Sequence, residues 1–370
     1  MKVVLAFDKF KGSATAQQLN DAAMQSLFGI DDITVVSVPI ADGGDGTTTV
    51  LASGRKGQWV QSPVMGPLLN LDPITASYFL CDDGTAFIET AAASGLALLP
   101  EGVRDALRAS TLGTGMLMRD AMERGAHHIV LGLGGSATTD AAMGILSALG
   151  AEFLDAQGHY LFPCGGSLEQ ISRIETRGIP QAVLDCRFTL LTDVDNPLCG
   201  ELGAAHVYGP QKGASPEQME QLDRGLAHVA TIVGDNIAFK SGCGAAGGIP
   251  SLMMYLLDCE LQPGGPYVLS HNGMQEALRD AHLVITGEGR LDRQTLMGKG
   301  PGCVIRMAHD CGVPVAVVCG VIEEGFDPDR AGLAQAIAVS AGLPHDLAMD
   351  TASTLERVSQ AVKHLIPDFH

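Results

Sequence analysis

Five consecutive apolar residues, Val3-Val4-Leu5-Ala6-Phe7, stand near the start of the chain and stop at Asp8. A run without alternation is the pattern of a strand covered on both faces, which is how parallel sheets are built. Ala16, Leu19, Ala23 and Leu27 then recur at helical spacing, and Ile33–Ile40 is a second apolar run. Strand, helix, strand in so short a stretch predicts a βαβ unit. The grammar returns toward the other end. His282–Thr286, Pro314–Cys319 and Ala336–Ser340 read as strands, with a helix over Val304–Cys311. A last helix carries Leu355, Val358, Val362 and Leu365 on one face and is expected to open with the capping box Ser353-x-x-Glu356. Between the two ends the pattern changes. Asp82-Asp83-Gly84 reads as the turn of a hairpin joining Ile74–Leu80 to Ala86–Thr90. The expected fold is therefore α/β: a doubly wound parallel-sheet domain of flavodoxin or Rossmann type from residues 1–61 plus 281–370, with a second α/β domain inserted at 62–280.

Composition narrows the function. Hydrophobic residues make up 46% of the 370, enough for large cores. The 23 Lys and Arg against 42 Asp and Glu give a net charge of −19, which disfavours nucleic acid and anionic membrane surfaces as partners. Any anionic ligand then needs a local cation, a metal ion or backbone amides. Nine scattered cysteines without framework spacing suggest reduced thiols and a cytoplasmic protein. No stretch approaches the roughly 20 apolar residues of a membrane helix. Self-association is compatible with all of this.

The chemistry-bearing residues sit at strand ends. Asp8-Lys9-Phe10-Lys11-Gly12-Ser13 follows the first strand, where Lys11 could neutralise an anion. Asp42-Gly43-Gly44-Asp45 follows the second, two carboxylates around a tight turn, suited to hydrated Mg²⁺ or substrate hydroxyls. The strand at Ile129–Leu133 runs into Gly132-Leu133-Gly134-Gly135-Ser136, a candidate phosphate cradle; formally Gly132-x-Gly134-x-x-Ala137 with Asp155 also fits a relaxed dinucleotide fingerprint. Phe188–Leu191 leads to Thr192-Asp193-Val194-Asp195-Asn196, where alternation would put both carboxylates on one side, one as base and one as metal ligand. Gly209-Pro210-Gln211-Lys212-Gly213 comes further on. Thr286-Gly287-Glu288-Gly289-Arg290-Leu291-Asp292 offers a guanidinium fork for a carboxylate, and Lys299 a point charge for phosphate. No Walker A pattern and no HExxH spacing occur. These features suit Mg²⁺-dependent handling of a small phosphorylated or carboxylated metabolite. An NAD-dependent hydroxy-acid oxidoreductase using Gly132–Ala137 and a non-catalytic metabolite-binding protein are the rivals.

Taken in order, DKFKGS, ADGGDGT, FIETAAASGL, LGLGGSATTD, TDVDNPLCG, YGPQKGA, GAAGG and VITGEGRLDRQTLMGKGP resemble the type I glycerate kinases. The resemblance implies transfer of the ATP γ-phosphoryl group to glycerate, with 2-phosphoglycerate as the expected product, and two α/β domains, the second around a mixed sheet, with the site between them. The 3-phosphoglycerate product and another short hydroxy acid stay open as alternatives. On that reading Asp193 and Lys299 are the expected catalytic residues. Asp8, Lys11, Ser136 and Arg290 are expected to bind substrate, and Gly134, Gly135, Asn196 and Lys212 the nucleotide phosphates. Asp45, Asp195, Asp42 and Glu288 are the Mg²⁺ candidates. The chain departs from the family pattern at Lys9, usually Ser, and at Thr139, Ala141 and Ala142, where the motif usually has Asn and two glycines.

Overall fold

In the first strand, Lys2–Phe7, side chains alternate between two cores. Val3, Leu5 and Phe7 pack with Leu19, Ala23 and Leu27 of the helix Ala16–Leu27 and with Val358 and Val362 of the helix Thr351–Leu365. Val4 and Ala6 pack on the opposite side with Val304, Ile305 and Ala308 of the helix Gly300–Asp310. A computed structural model describes residues 1–293, 295 and 300–369. The sheet it contains has five strands, all parallel, in the order Gln335–Ala338, Val315–Cys319, Leu283–Gly287, Lys2–Phe7, Thr34–Ser37. In chain order that is 2-1-3-4-5, the doubly wound arrangement whose switch point lies between the Lys2–Phe7 and Leu283–Gly287 strands. Ligands of such sheets bind beyond the carboxyl ends of the strands at that point.

The second sheet is mixed. Four parallel strands, Cys259–Pro263, Arg187–Thr192, His128–Gly132 and Thr85–Glu89, are extended by two antiparallel ones, Ile74–Cys81 and Gly57–Val64. The Asp82-Asp83-Gly84 hairpin forms as expected, with Gly84 at φ 81° and Thr85 N–H donating to Asp83. Ile88, Leu131 and Leu190 enter a core shared with Leu117 and Met118 of the helix Leu112–Glu123 and Leu222 and Leu226 of the helix Pro216–Val233. By contacts the chain forms two units, one of Met1–Asp42, Thr49–Ser53 and Gly264–His370, the other of Gly43–Thr48 and Gly54–Pro263. The boundary expected at 61/62 falls inside the strand Gly57–Val64, which belongs wholly to the mixed sheet.

Three local expectations change. The second strand is only Thr34–Ser37; Val38 and Ile40 still donate to Leu5 and Phe7 carbonyls, but Pro39 has no N–H to continue the ladder. The last helix begins at Thr351 and is capped by Asp350, whose carboxylate accepts from Ser353 N–H, so the Ser353–Glu356 box lies inside it. The strand before Asp193 ends at Thr192, so alternation does not reach Asp193 and Asp195. Among the described residues no helix is long and apolar enough to cross a membrane.

Candidate active site

In the first unit, loops from neighbouring strand ends bring three carboxylates together. Asp8 directly follows the Lys2–Phe7 strand, is 5% exposed, and accepts the Lys9 N–H at 2.7 Å. Its N–H donates to Gly287 O, tying it to the adjacent strand end. Burial, then the negative charges of Asp42 and Glu288, push the Asp8 carboxyl up to about 7, with Lys9 partly offsetting them. Lys9 Nζ sits 3.3 Å from Asp42, so the lysine that departs from the family pattern neutralises one member of the cluster. Asp8 Oδ2 also lies where a Cβ on Gly300, first residue of the helix Gly300–Asp310, would come within 3.0 Å. Lys11 and Arg290 are both exposed, Arg290 in the two-residue strand Arg290–Leu291 that pairs with Val321–Ile322, and the residue before it approaches the Lys11 backbone: a Cβ on Gly289 would lie 3.6 Å from Lys11 N. Lys299 lies outside the described residues.

In the second unit the site is built where the strands Thr85–Glu89, His128–Gly132 and Arg187–Thr192 end. Gly134 lets backbone meet backbone: a Cβ there would stand 2.4 Å from Gly44 Cα. Its N–H donates to Gly43 O at 3.3 Å. Gly135 adopts φ 71°, and a Cβ on it would meet the Asp45 carboxylate at 2.5 Å. The close approach these glycines permit is therefore first of all to Gly43–Asp45, and it brings Asp45 onto the glycine loop. Glu89 anchors the same segment by accepting Thr48 N–H.

Beneath the loop lies Lys212, 3% exposed, at the end of the short turn Pro210–Lys212. Its Nζ donates to Thr138 O at 2.6 Å and lies 3.4 Å from Ser136 Oγ. Burial pulls the ammonium down to about 8, with Asp140 pushing it back. Asp193 and Asp195 are exposed, and Asp195 accepts from Ser241 Oγ. Both raise the Tyr208 phenol, which burial first of all pushes up to about 12 and which donates to Asn196 Oδ1 at 2.6 Å. Tyr208, Thr138 and Glu89 were not foreseen as parts of the site; the Thr-Thr-Asp after the glycines was the available signal.

Among the described residues no three His, Cys, Asp or Glu side chains are grouped as a metal cage. Asp42 and Glu288 belong to the first unit and Asp45 and Asp195 to the second. Mg²⁺ is nonetheless usually held by one or two carboxylates together with phosphates and water, which the exposed Asp45 beside the glycine loop fits.

The dinucleotide fingerprint does not develop. The helix after the glycines, Met143–Ala148, starts six residues beyond Ala137, and Asp155 is engaged by Gln157 and His159 N–H groups in a surface turn. The family model of the glycerate kinase family matches residues 3–367. The chain belongs to the glycerate kinase family, a family of phosphotransferases. It is 40% identical over 331 residues to the glycerate kinase of Halalkalibacterium halodurans, covering 88% of this chain and 87% of that one. It is 39% identical over 330 residues to the glycerate 2-kinase of Escherichia coli, with 88% and 86% covered. A crystal structure described as glycerate kinase 2 from Salmonella typhimurium superposes with a TM-score of 0.83 at 35% identity, covering 100% of this chain and 98% of that one. The membership answers the resemblance drawn from the motifs, and the fold agrees with the expected parallel and mixed sheets.

Proposed function

We propose that this protein transfers the γ-phosphoryl group of ATP to the 2-hydroxyl of glycerate in the cytoplasm, with Mg²⁺ and in-line geometry. The observation that carries the nucleotide side is Lys212, a cation kept out of water and bonded to the Ser136–Thr138 stretch of the glycine loop. A buried ammonium is costly unless a negative group meets it, and a phosphate entering that loop is such a group. Lys11 and Arg290, exposed on segments whose backbones approach at Gly289, receive the glycerate carboxylate, Arg290 by its bidentate fork. The name of the Escherichia coli relative, glycerate 2-kinase, favours the 2-position.

Phosphoryl transfer demands alignment and charge neutralisation more than covalent help. Asp193, exposed just beyond its strand end, accepts the glycerate hydroxyl proton as oxygen attacks. Lys212 balances charge on the phosphates, and Ser136 and Gly135 hold the loop in which they sit. Asn196, fixed by Tyr208 and by its own bond to Leu202 O, orients a phosphate oxygen. Asp45 and Asp195 would hold Mg²⁺, which when bound offsets the negative charge of the nucleotide phosphates.

The test is incubation of purified protein with MgATP and glycerate, following ADP release and identifying the phosphorylated carbon by ³¹P NMR. ADP formation that requires glycerate, with 2-phosphoglycerate as product, is expected. A nicotinamide-dependent absorbance change without need for ATP would sink the reading. Asp193→Asn should lower kcat by about 10²–10⁴-fold, and a folded variant with wild-type kcat removes Asp193 from the role.

A further inference from the structure

The carboxylate behind the glycine loop has no part in the chemistry above. Asp140 is 0% exposed and closes the turn that follows Ser136-Ala137-Thr138-Thr139. Its Oδ2 accepts from Thr111 N–H at 2.8 Å, Thr111 Oγ1 at 2.9 Å and Gly144 N–H at 3.1 Å. Its main-chain carbonyl accepts Met143 N–H at 2.7 Å. These bonds bridge Ala141 and Ala142, held at φ 50° and 68° where a side chain is strained. The other oxygen, Oδ1, is buried with no hydrogen-bond partner. Two residues before Asp140, Thr138 offers its carbonyl to Lys212.

We infer that Asp140 is a positioning residue for phosphoryl transfer: it fixes the turn that carries Ser136 and Thr138 and supplies the counter-charge that keeps Lys212 an ammonium in a dry site. The inference rests on the phosphate-binding role given to Lys212 above. An isolated ammonium in an apolar environment sheds its proton, and a nearby carboxylate prevents this. Burial first of all pushes Asp140 up to about 6, and the Thr111 and Gly144 donors, which favour its charged form, hold it down. The same carboxylate is what raises Lys212 against its burial. Two other ionisable groups pack here: Cys164, whose thiol burial pushes up, and Arg104, whose guanidinium donates to Gln211 O and which lies against Gly213.

The experiment compares pH profiles of kcat/KM for MgATP in the full-length wild type, Asp140→Asn, Lys212→Met, the double variant and Thr111→Val, each checked for folding by circular dichroism. Asp140→Asn should move the alkaline limb to lower pH by about one unit and leave the KM for glycerate near wild type. In the Lys212→Met background the same change should cost no more than about 2-fold, because a residue acting through Lys212 has nothing left to act on. Thr111→Val removes a donor that favours the charged Asp140, so its acidic limb should rise toward neutral pH; it decides alone if Asp140→Asn does not fold. Unmoved profiles in the folded variants, or a full multiplicative cost of Asp140→Asn on top of Lys212→Met, overturn the inference. If Lys212→Met itself keeps wild-type kcat and KM for MgATP, the phosphate role of Lys212 has failed instead.

Discussion

Asp8 is a carboxyl held out of water beside two others, an arrangement that trades stability for a site. Its folded-state value, about 7, lies above the unfolded 3.8, so the folded protein binds more protons between the two. Stability from this group is fully present below the unfolded value, declines as pH rises through that interval, and stays reduced above it. Asp8→Asn, which keeps an oxygen for Lys9 N–H, should stabilise the protein at about pH 8 by of the order of 1–3 kcal/mol. At about pH 4, where Asp8 is mostly protonated, the gain should nearly vanish. Denaturant melts of both proteins at the two pH values measure the difference. Equal gains at both would mean that ionisation is not what Asp8 costs. Activity should fall even as stability rises, as expected where a strained or desolvated group serves function.

The ends of elements separate what the sequence could say from what it could not. Unbroken apolar runs located the parallel strands and helical spacing the helices, because burial on one or two faces is a periodic demand. Termini are set by single groups. Pro39 ends one ladder, and Asp350, one of several residues able to cap, outcompetes Ser353. The competition is measurable: Asp350→Ala should cost about 1 kcal/mol in a thermal melt, and Ser353→Ala, whose N–H remains, a few tenths. The reverse ranking would restore the Ser353 cap. For the candidate site, the signal the sequence offers is charge placed after a strand, as at Asp8, Asp45 and Glu288. It offers none where side chains arrive from far along the chain. Tyr208 reaching Asn196 and Thr111 reaching Asp140 are tertiary facts. Ala141, Ala142 and Ala246 at positive φ defeat residue preference altogether, since alanine is not the residue such turns select.

At the scale of the molecule, the chain carries a net charge of −19, while both substrates of the proposed reaction are anions. On the proposed function, the global field repels ATP and glycerate, and Lys11, Arg290 and Lys212 would attract them only at short range. Ionic strength separates these two influences. The Debye length falls from about 30 Å at 0.01 M to about 8 Å at 0.15 M, so added salt erases the distant repulsion while a contact between a carboxylate and a guanidinium is weakened much less. Buried Lys212, reached by solvent ions poorly, should lose least of all. If the far field governs encounter, kcat/KM for glycerate at saturating MgATP should rise about two-fold or more on going from low to physiological KCl. An acidic enzyme that nevertheless funnels its substrates by a local positive potential would show a fall over the same range. Stopped-flow or steady-state measurement in KCl, with sucrose controls for viscosity, distinguishes the two. A rise would place the selectivity for anions in direct contacts at Lys11 and Arg290, and replacing either by Met should then leave the salt response intact while raising the KM for glycerate.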